Sequence, residues 1–492
     1  MASIEEIRDE RIKKLANLRK AGMDPYPVSS DVTHTADQVL SSFDKLAVSG
    51  EKVSVGGRIM AVRGHGAVSF VDIDDGTAKI QALFKKDIVG EEKFKLFADN
   101  VDIGDFIQLS GKMFATQRDE KTLEVADWNM LAKSLRPLPD KWHGLQDVDE
   151  RYRRRYLDLL MNKDLRDLIV KKSKFWDVTR NFFKERGFLE VETPTLELTT
   201  GGAEARPCKT HHNDFDLEMY LRISVGELWQ KRLIAAGFPK TFEIGRVYRN
   251  EGTSPEHLQE FTNMEFYWGY ADYKDGMKLV KELYRSIAEK VFGTTKFEHN
   301  GHSFDLASEW KEIDYIGEIK EQTGVNIEKA NEQEIKDKLK ELGVVYQGEN
   351  KERLVDTLWK YCRKNISGPA FLVNHPVLVA PLAKRVPGED AANPTMNRVE
   401  MFQPLIAGSE VGRGYSELND PVDQKERFEA QQKLIEGGDE EAMMPDYEFV
   451  EMLEHGMPPT CGFGFGERLF AILAGRPARE LQTFPLVRPK EE

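Results

Sequence analysis

Five short runs in which apolar and polar residues alternate, VSVGGRIMAV, AVSFVDIDD, AKIQALF, DFIQLSGKMFAT and KTLEVADWNML, lie between residues 52 and 135, separated by Gly/Asp turns. A period of two sends one face of each run to a core and the other to water. Five such strands in so short a span fit a small closed barrel, and the strands alone also allow a sandwich. The segment LRPLPDKWHGLQD (135–147) then interrupts regular structure with two prolines and a glycine. Beyond it long helices mix with strands without a βα repeat, so the class is α+β rather than doubly wound α/β.

A chain of 492 residues exceeds one ordinary core and calls for at least two domains. The expected layout starts with a helical extension over 1–48, where Ile4, Ile7, Ile12, Leu15 and Leu18 recur among charges. A barrel of the oligonucleotide-binding (OB) type follows over 49–135, with a helix near 91–98 between its third and fourth strands. Residues 136–150 form a linker, and 151–492 form the larger domain. That domain carries a helical insertion at about 306–368. Asn331-Glu332-Gln333-Glu334 is a capping box opening a helix to Leu342, and a second helix spans about 350–364.

No stretch approaches the roughly 18 apolar residues of a membrane span, and the charged N-terminus lacks the apolar core of a signal peptide. The cytoplasm is the default expectation. Cys208, Cys362 and Cys461 are widely spaced and read as packing residues. The net charge of −14 conceals an asymmetry: 14 Lys/Arg face 8 Asp/Glu from Lys133 to Lys184, against 3 and 10 from Lys425 to His455. Within the basic half, Arg151-Tyr152-Arg153-Arg154-Arg155 suits phosphates and stacking. The plainer reading, a helix start with Arg–Asp pairs, is preferred for the run taken alone.

Neither G-x-x-x-x-G-K-[ST] nor a strand–G-x-G-x-x-G–helix unit is present. Three other segments carry the chemistry. FFKERGFLEVETPTL (182–196) is a helix running into a strand. FEIGRVYRNEGTSPEHLQEFTNMEFYWGY (242–270) sets Arg249 and Glu251 two apart on one strand face, followed by His257, Glu260, Phe261, Glu265 and Tyr267. CGFGFGERLFAIL (461–473) alternates Gly462, Gly464 and Gly466 into a helix start bearing Arg468. Arginine forks stabilise charge developing on a phosphate, and glycines let a strand approach a nucleotide. Separately, Arg249–Glu251 could be a cross-strand salt bridge and the glycines a tightly packed strand.

In this order the three segments resemble the motifs of class II aminoacyl-tRNA synthetases. The resemblance sharpens to the lysyl-tRNA synthetases of subclass IIb over nearly the whole chain, through 133–160, 201–224 and GRGYSELNDPVDQKERF (412–428). It implies that Arg249 and Arg468 are catalytic, and that Arg249, Glu251, His257, Phe261, Gly462, Gly464, Gly466 and Arg468 hold ATP. It also implies a lysine site of Gly202, Glu227, Arg249, Glu265, Tyr267, Arg413 and Glu417. There Glu227 (in E-L-x-x-K-R) and Glu417 (in S-E-L-N-D) take the side-chain ammonium and Glu265 the α-ammonium. A buried ammonium needs such compensating carboxylates. Glu227 could instead be a surface charge paired with Lys231 at i+4. Phe70 and Gln81 match positions that stack on and hydrogen-bond to the anticodon, unless Phe70 is barrel core.

The chain departs from the family at four places. Arg413 stands in G-R-G where the family usually has G-N-G. Gln403 occupies a position where many relatives have a metal-binding glutamate, while Glu410 is retained. Glu256 and Leu258 flank His257 in place of Arg and Asn, and RISVGELWQKR is one residue longer than usual. The resemblance implies a homodimer joined through the first motif that uses ATP and Mg2+, held by Glu410 and Gln403, to make lysyl-adenylate and charge tRNA(Lys). An aspartyl- or asparaginyl-type synthetase, a ligase lysylating a protein and an inactive RNA-binding relative are the alternatives.

Overall fold

The computed structural model describes residues 3–139, 145–203, 205–252, 254, 257–346, 348, 350–388, 396–438 and 442–490. Glu256 and residues 140–144 of the expected linker fall outside these. Contacts divide the chain into two compact units, Met1–Met161 and Asn162–Glu492. The helices Val148–Arg153 and Arg155–Met161 thus group with the first unit, not with a domain starting at 151.

In the first unit β1 (Lys52–His65), β2 (Val68–Asp74), β3 (Lys79–Lys85), β4 (Phe106–Ala115) and β5 (Lys121–Ala132) close in the order β1-β2-β3-β5-β4. This is the OB-type barrel rather than a sandwich. Closure works because β1 is long enough to pair with both β2 and β4, bending at a bulge between Ile59 and Ala61. Alternate residues such as Val53, Val55, Val71 and Ile73 fill the interior. Helix Glu91–Asn100 adds Phe94 and Phe97, the latter stacked on Phe84 at 4.1 Å. Helix Ile4–Lys20 begins at a Ser3/Glu6 capping box, and its buried Arg11 donates to the carbonyls of Ile103, Ser134 and Arg136. The basic run is held in helix pairs: Arg153 to Asp149 (2.5 Å), Arg154 to Glu150 (3.1 Å) and buried Arg155 to Asp158 (2.7 Å).

The strands of the second unit are β6 (Leu189–Glu190), β7 (Leu196–Glu197), β8 (Cys208–His212), β9 (Leu217–Leu221), β10 (Lys240–Tyr248), β11 (Glu260–Gly269), β12 (Lys296–His299), β13 (His302–Asp305), β14 (Lys311–Asp314), β15 (Ala370–Val373), β16 (Met401–Ile406), β17 (Ser409–Glu410), β18 (Arg413–Ser416) and β19 (Thr460–Gly466). Nine form one sheet in the order β14-β15-β16-β18-β19-β11-β10-β6, with β17 on β16. The pairs β14–β15 and β6–β10 are parallel and the others antiparallel. Helices Lys163–Lys184 and Tyr273–Ile287 contribute Phe175, Phe183, Val280 and Leu283 to the core that also buries Phe402, Phe463 and Phe465 of the sheet. Phe463 and Phe465 alternate with the glycines of β19, so those glycines lie on the opposite face.

The capping box at Asn331 opens helix Glu332–Glu341, and Lys351–Cys362 follows. With helix Tyr315–Thr323 they share a core of their own around Ile319, Ile335, Leu358 and Trp359. The span 306–368 is nevertheless not helical throughout. Lys311–Asp314 is an edge strand of the main sheet, pairing with β15 from a distant part of the chain.

Candidate active site

The site is built on a row of three glycines. Across β19, Gly462 stands opposite both Tyr267 and Tyr415, Gly464 opposite both Glu265 and Arg413, and Gly466 opposite Asn263. Cross-strand partners share a face, so β11 and β18 raise walls on either side of a floor without side chains. A Cβ on Gly462 would come within 2.0 Å of Glu417 Oε1, and one on Gly464 within 2.8 Å of Glu265 Cγ. The cleft above has a volume of about 500 Å³. All the residues assigned above to catalysis, ATP, lysine or metal line it, Gly202, Glu227, His257, Gln403, Glu410 and Arg468 among them.

One end is acidic and enclosed. Gly226, at φ +69° and packed on Thr193, turns the chain so that Glu227 starts helix Glu227–Ala235 pointing inward. Glu227 does pair with Lys231 (2.9 Å), but the pair is buried rather than at the surface, and Lys231 also reaches Glu417 Oε2 at 2.5 Å. Tyr415 donates its hydroxyl to Glu227. Glu417 Oε1 is buried and accepts no hydrogen bond from a described residue. Burial pushes Glu417 up to about 8, working against the pull of Lys231, whose own pKa is raised by Glu227 and Glu417 despite burial. Glu265 accepts from the Val225 N–H (2.8 Å), Asn263 (3.1 Å) and the Tyr267 hydroxyl (3.1 Å). Burial, and next the charge of Glu227, lift it to about 7.

The other end is cationic. Arg249 and Glu251 lie just past the end of β10, not on a strand face as expected, because β10 stops at Tyr248. Arg249 donates to the Ile223 carbonyl, and its guanidinium carbon lies 5.3 Å from the centre of the Phe261 ring. Burial lowers its pKa, Glu251 and Glu265 oppose that shift, and Arg468 and Arg413 add to it, so three guanidinium groups feel one another here. Glu467 braces the end of β19 by accepting from Lys172 (2.7 Å) and the Thr262 N–H (2.9 Å). His257 is held by Ser254 at 2.7 Å.

The two candidate metal ligands differ. Glu410 presents a carboxylate to the cleft with Oε1 anchored by Trp359 Nε1 at 2.5 Å, which suits a cation. Gln403 carries no charge and turns its Oε1 to His375 Nε2 at 2.8 Å, and burial keeps that histidine neutral with a pKa of about 3. No group of three or more His, Cys, Asp or Glu side chains suited to a metal ion occurs among the described residues.

Sequence reasoning missed the parts played by Lys231, Asn263, Tyr415, Trp359 and His375. Lys231 and Tyr415 carried a signal, at i+4 from Glu227 and two residues before Glu417. Trp359 carried none. In the barrel, Phe70 is not core: Val71 and Ile73 point inward while Phe70 and Asp72 point outward. Gln81 stands opposite Asp72 on the same outer face, its carbonyl oxygen accepting from Thr122 at 2.9 Å.

The chain, whose largely antiparallel sheet carries a glycine-floored cleft acidic at one end and arginine-lined at the other, matches over residues 147–488 the family of class II tRNA synthetases (D, K and N). Residues 53–131 match the OB-fold nucleic acid binding domain. The chain belongs to the class II tRNA synthetases. Within that class its full-length similarity is to lysine–tRNA ligases. That of Thermotoga maritima is 42% identical over 99% of this chain and 97% of its own length. Those of Roseiflexus sp. (strain RS-1) and Carboxydothermus hydrogenoformans are each 42% identical over 99% of this chain, covering 100% and 99% of their own lengths.

Proposed function

We propose that the chain activates L-lysine with ATP and transfers the lysyl group to the 3′ end of tRNA(Lys). The observation that carries this reading is the enclosed Glu227–Glu417 pair, in which Glu417 Oε1 is buried without a hydrogen-bond donor among the described residues. A primary ammonium supplies that donor and the compensating charge. The carboxylate of Glu417 overlies Gly462 and that of Glu265 flanks Gly464, two residues further along β19. That repeat is roughly 7 Å, about the reach from the α-nitrogen to the ε-nitrogen of an extended lysine. An aspartate or asparagine side chain leaves Glu417 Oε1 without a donor.

With its two ammonium groups on Glu265 and on Glu227–Glu417, lysine directs its carboxylate toward Arg249. A carboxylate oxygen attacks the α-phosphorus, the bond to the β-phosphate oxygen breaks, and pyrophosphate leaves with the electron pair. Arg249 stabilises the charge that develops on the α-phosphoryl oxygens. Phe261 and Arg468 hold the adenine between them, and His257 and Arg468 reach the terminal phosphate. The terminal ribose hydroxyl of tRNA then attacks the lysyl carbonyl and AMP departs. No protein nucleophile takes part; the residues orient and neutralise. Glu410 would hold Mg2+, which when bound supplies further charge neutralisation to the phosphates.

Phe70 and Gln81 on the outer face of the barrel fit stacking on, and hydrogen bonding to, anticodon bases. A homodimer joined through the segment around 182–196 accords with the exposed Leu189, Leu196 and Leu198 in and beside it. The cytoplasm is the proposed compartment; no described helix is long and apolar enough to cross a membrane. ATP–pyrophosphate exchange with lysine, aspartate and asparagine in turn tests the assignment. Exchange with lysine alone is expected, and exchange with aspartate but not lysine overturns it.

A further inference from the structure

Gln403 and Arg413 belong to one row across the sheet. β16 and β18 pair through Met401↔Tyr415 and Phe402↔Gly414, and Gln403 and Arg413 are the next residues beyond that last pair, on the same side of it. Arg413 is opposite Gly464, and Gly464 is opposite Glu265. Phe402 points into the core against Phe463, so its neighbour Gln403 emerges on the cleft face with Arg413.

The orientation of the Gln403 amide decides what this row can bind. His375 is buried, and its Nδ1 has no hydrogen-bond partner among the described residues. A buried lone pair is tolerated more often than a buried N–H left without an acceptor. The histidine proton therefore sits on Nε2, which donates to Gln403 Oε1. That bond turns the amide oxygen toward the buried histidine. What Gln403 presents to the cleft is its NH2, which donates to no described residue. Two amide N–H donors beside a guanidinium repel a cation and receive an anion.

We propose that Arg413 and the NH2 of Gln403 form an anion subsite for the phosphates of ATP, which neutralises them at this position without a metal ion and leaves Glu410 as the carboxylate that recruits Mg2+. The inference rests on the proposed lysine activation but concerns only the nucleotide's partners. Arg413 sits within electrostatic reach of Arg249, whose pKa it lowers, so the subsite is continuous with the arginine that faces the reacting phosphate. Its planar fork matches two phosphate oxygens in a fixed geometry that the point charge of a lysine does not provide.

Two measurements on the full-length protein test this. The first is titration calorimetry of a non-hydrolysable ATP analogue, and separately of lysine, with wild type, Arg413→Asn and Arg413→Lys. Arg413→Asn is expected to weaken the analogue on the order of 10- to 100-fold, with lysine affinity little changed and Arg413→Lys intermediate. The second is the number of Mn2+ ions bound per chain in the presence of the analogue, by electron paramagnetic resonance. The Arg413→Asn/Gln403→Glu double variant is expected to hold one ion more than wild type. Unchanged analogue affinity in Arg413→Asn, a loss confined to lysine, or equal ion counts overturns the proposal. Loss of the underlying reading shows elsewhere, as absent lysine-dependent exchange in the unaltered protein.

Discussion

Lys231 Nζ lies 2.5 Å from Glu417 Oε2, with both side chains only 1% exposed, and 2.9 Å from Glu227 Oε1. Two buried carboxylates thus share one internal cation, and ionising both would leave one negative charge over at the closed end of the cleft. Buried charge in excess of its partners is costly. A second ammonium, brought by a substrate, removes the excess. The protein's own lysine therefore shows the chemistry the pocket offers a ligand, and it also sets how many ligand charges fit.

Replacing that internal cation should unbalance the pocket. Lys231→Met is expected to cost about 3–5 kcal/mol of folding stability, because Glu227 and Glu417 lose their shared counter-ion. Adding Glu417→Gln to it should recover part of the loss. Urea unfolding of the single and double variants checks this, and a single-variant cost under about 1 kcal/mol would argue that the triad is not strongly coupled.

Glu417→Gln keeps the shape of the pocket while removing a charge. Losing one partner of a buried charge pair costs about 2–5 kcal/mol. The KM for lysine should therefore rise about 30-fold or more, with the KM for ATP within about threefold of wild type. Lysine-dependent pyrophosphate exchange measures both; equal rises in the two constants would remove Glu417 from the ammonium site.

Burial raises Glu265 to about 7 and Glu417 to about 8. Lysine binds the ionised forms, so binding releases protons, and the KM for lysine should fall as pH rises through 7 to 8. The slope should approach about tenfold per unit for each proton released. Without lysine the sign reverses for stability. The contribution of these two groups is complete below the ordinary carboxylate range and is lost as pH climbs through 7 to 8. Calorimetry in buffers of different ionisation enthalpy counts the protons, and a KM that is flat from pH 6 to 8.5 contradicts the mechanism.

The glycine floor should fail in a graded way along β19. A Cβ on Gly462 meets Glu417 Oε1 at 2.0 Å and Tyr267 Cε1 at 2.6 Å, whereas one on Gly466 first meets Asn263 Oδ1 and Phe261 Cε2 at 3.2 Å. Gly462→Ala should raise the KM for lysine at least about 100-fold, and Gly466→Ala should affect chiefly ATP, by roughly tenfold or less. Exchange kinetics with either substrate varied distinguishes the two ends.

Phe70 stands on the outer face of the barrel, away from the interior packing of Val71 and Ile73. Phe70→Ala should therefore leave folding and pyrophosphate exchange intact. One lost base stack, worth about 1–3 kcal/mol, should raise the KM for tRNA in aminoacylation roughly 5- to 150-fold. An unchanged tRNA KM would take Phe70 out of the contact surface.

Local pattern made much of this protein readable. Alternation over residues 52–135 implied five strands able to close, since a period of two separates inside from outside whatever the strands later meet. The glycine alternation of 462–466 implied a strand with one bare face, and the order of the three motifs brought Arg249, Glu265 and Arg468 into consideration together. Pairings across long stretches of chain were another matter. That Trp359 anchors Glu410, 51 residues away, that Lys311–Asp314 completes an edge of the sheet, and that Lys231 lies between two glutamates all depend on sheet register and helix packing. The Gln403 amide has the same kind of cause: its composition was plain from the chain, but which of its atoms faces the cleft was decided by a buried histidine on a neighbouring segment. Residue type and spacing determined which chemical groups this protein has and which face of each element they occupy. Only the tertiary structure decided which of those groups are already satisfied by one another and which remain for a substrate, because hydrogen bonds and ion pairs are made between atoms brought together by the fold.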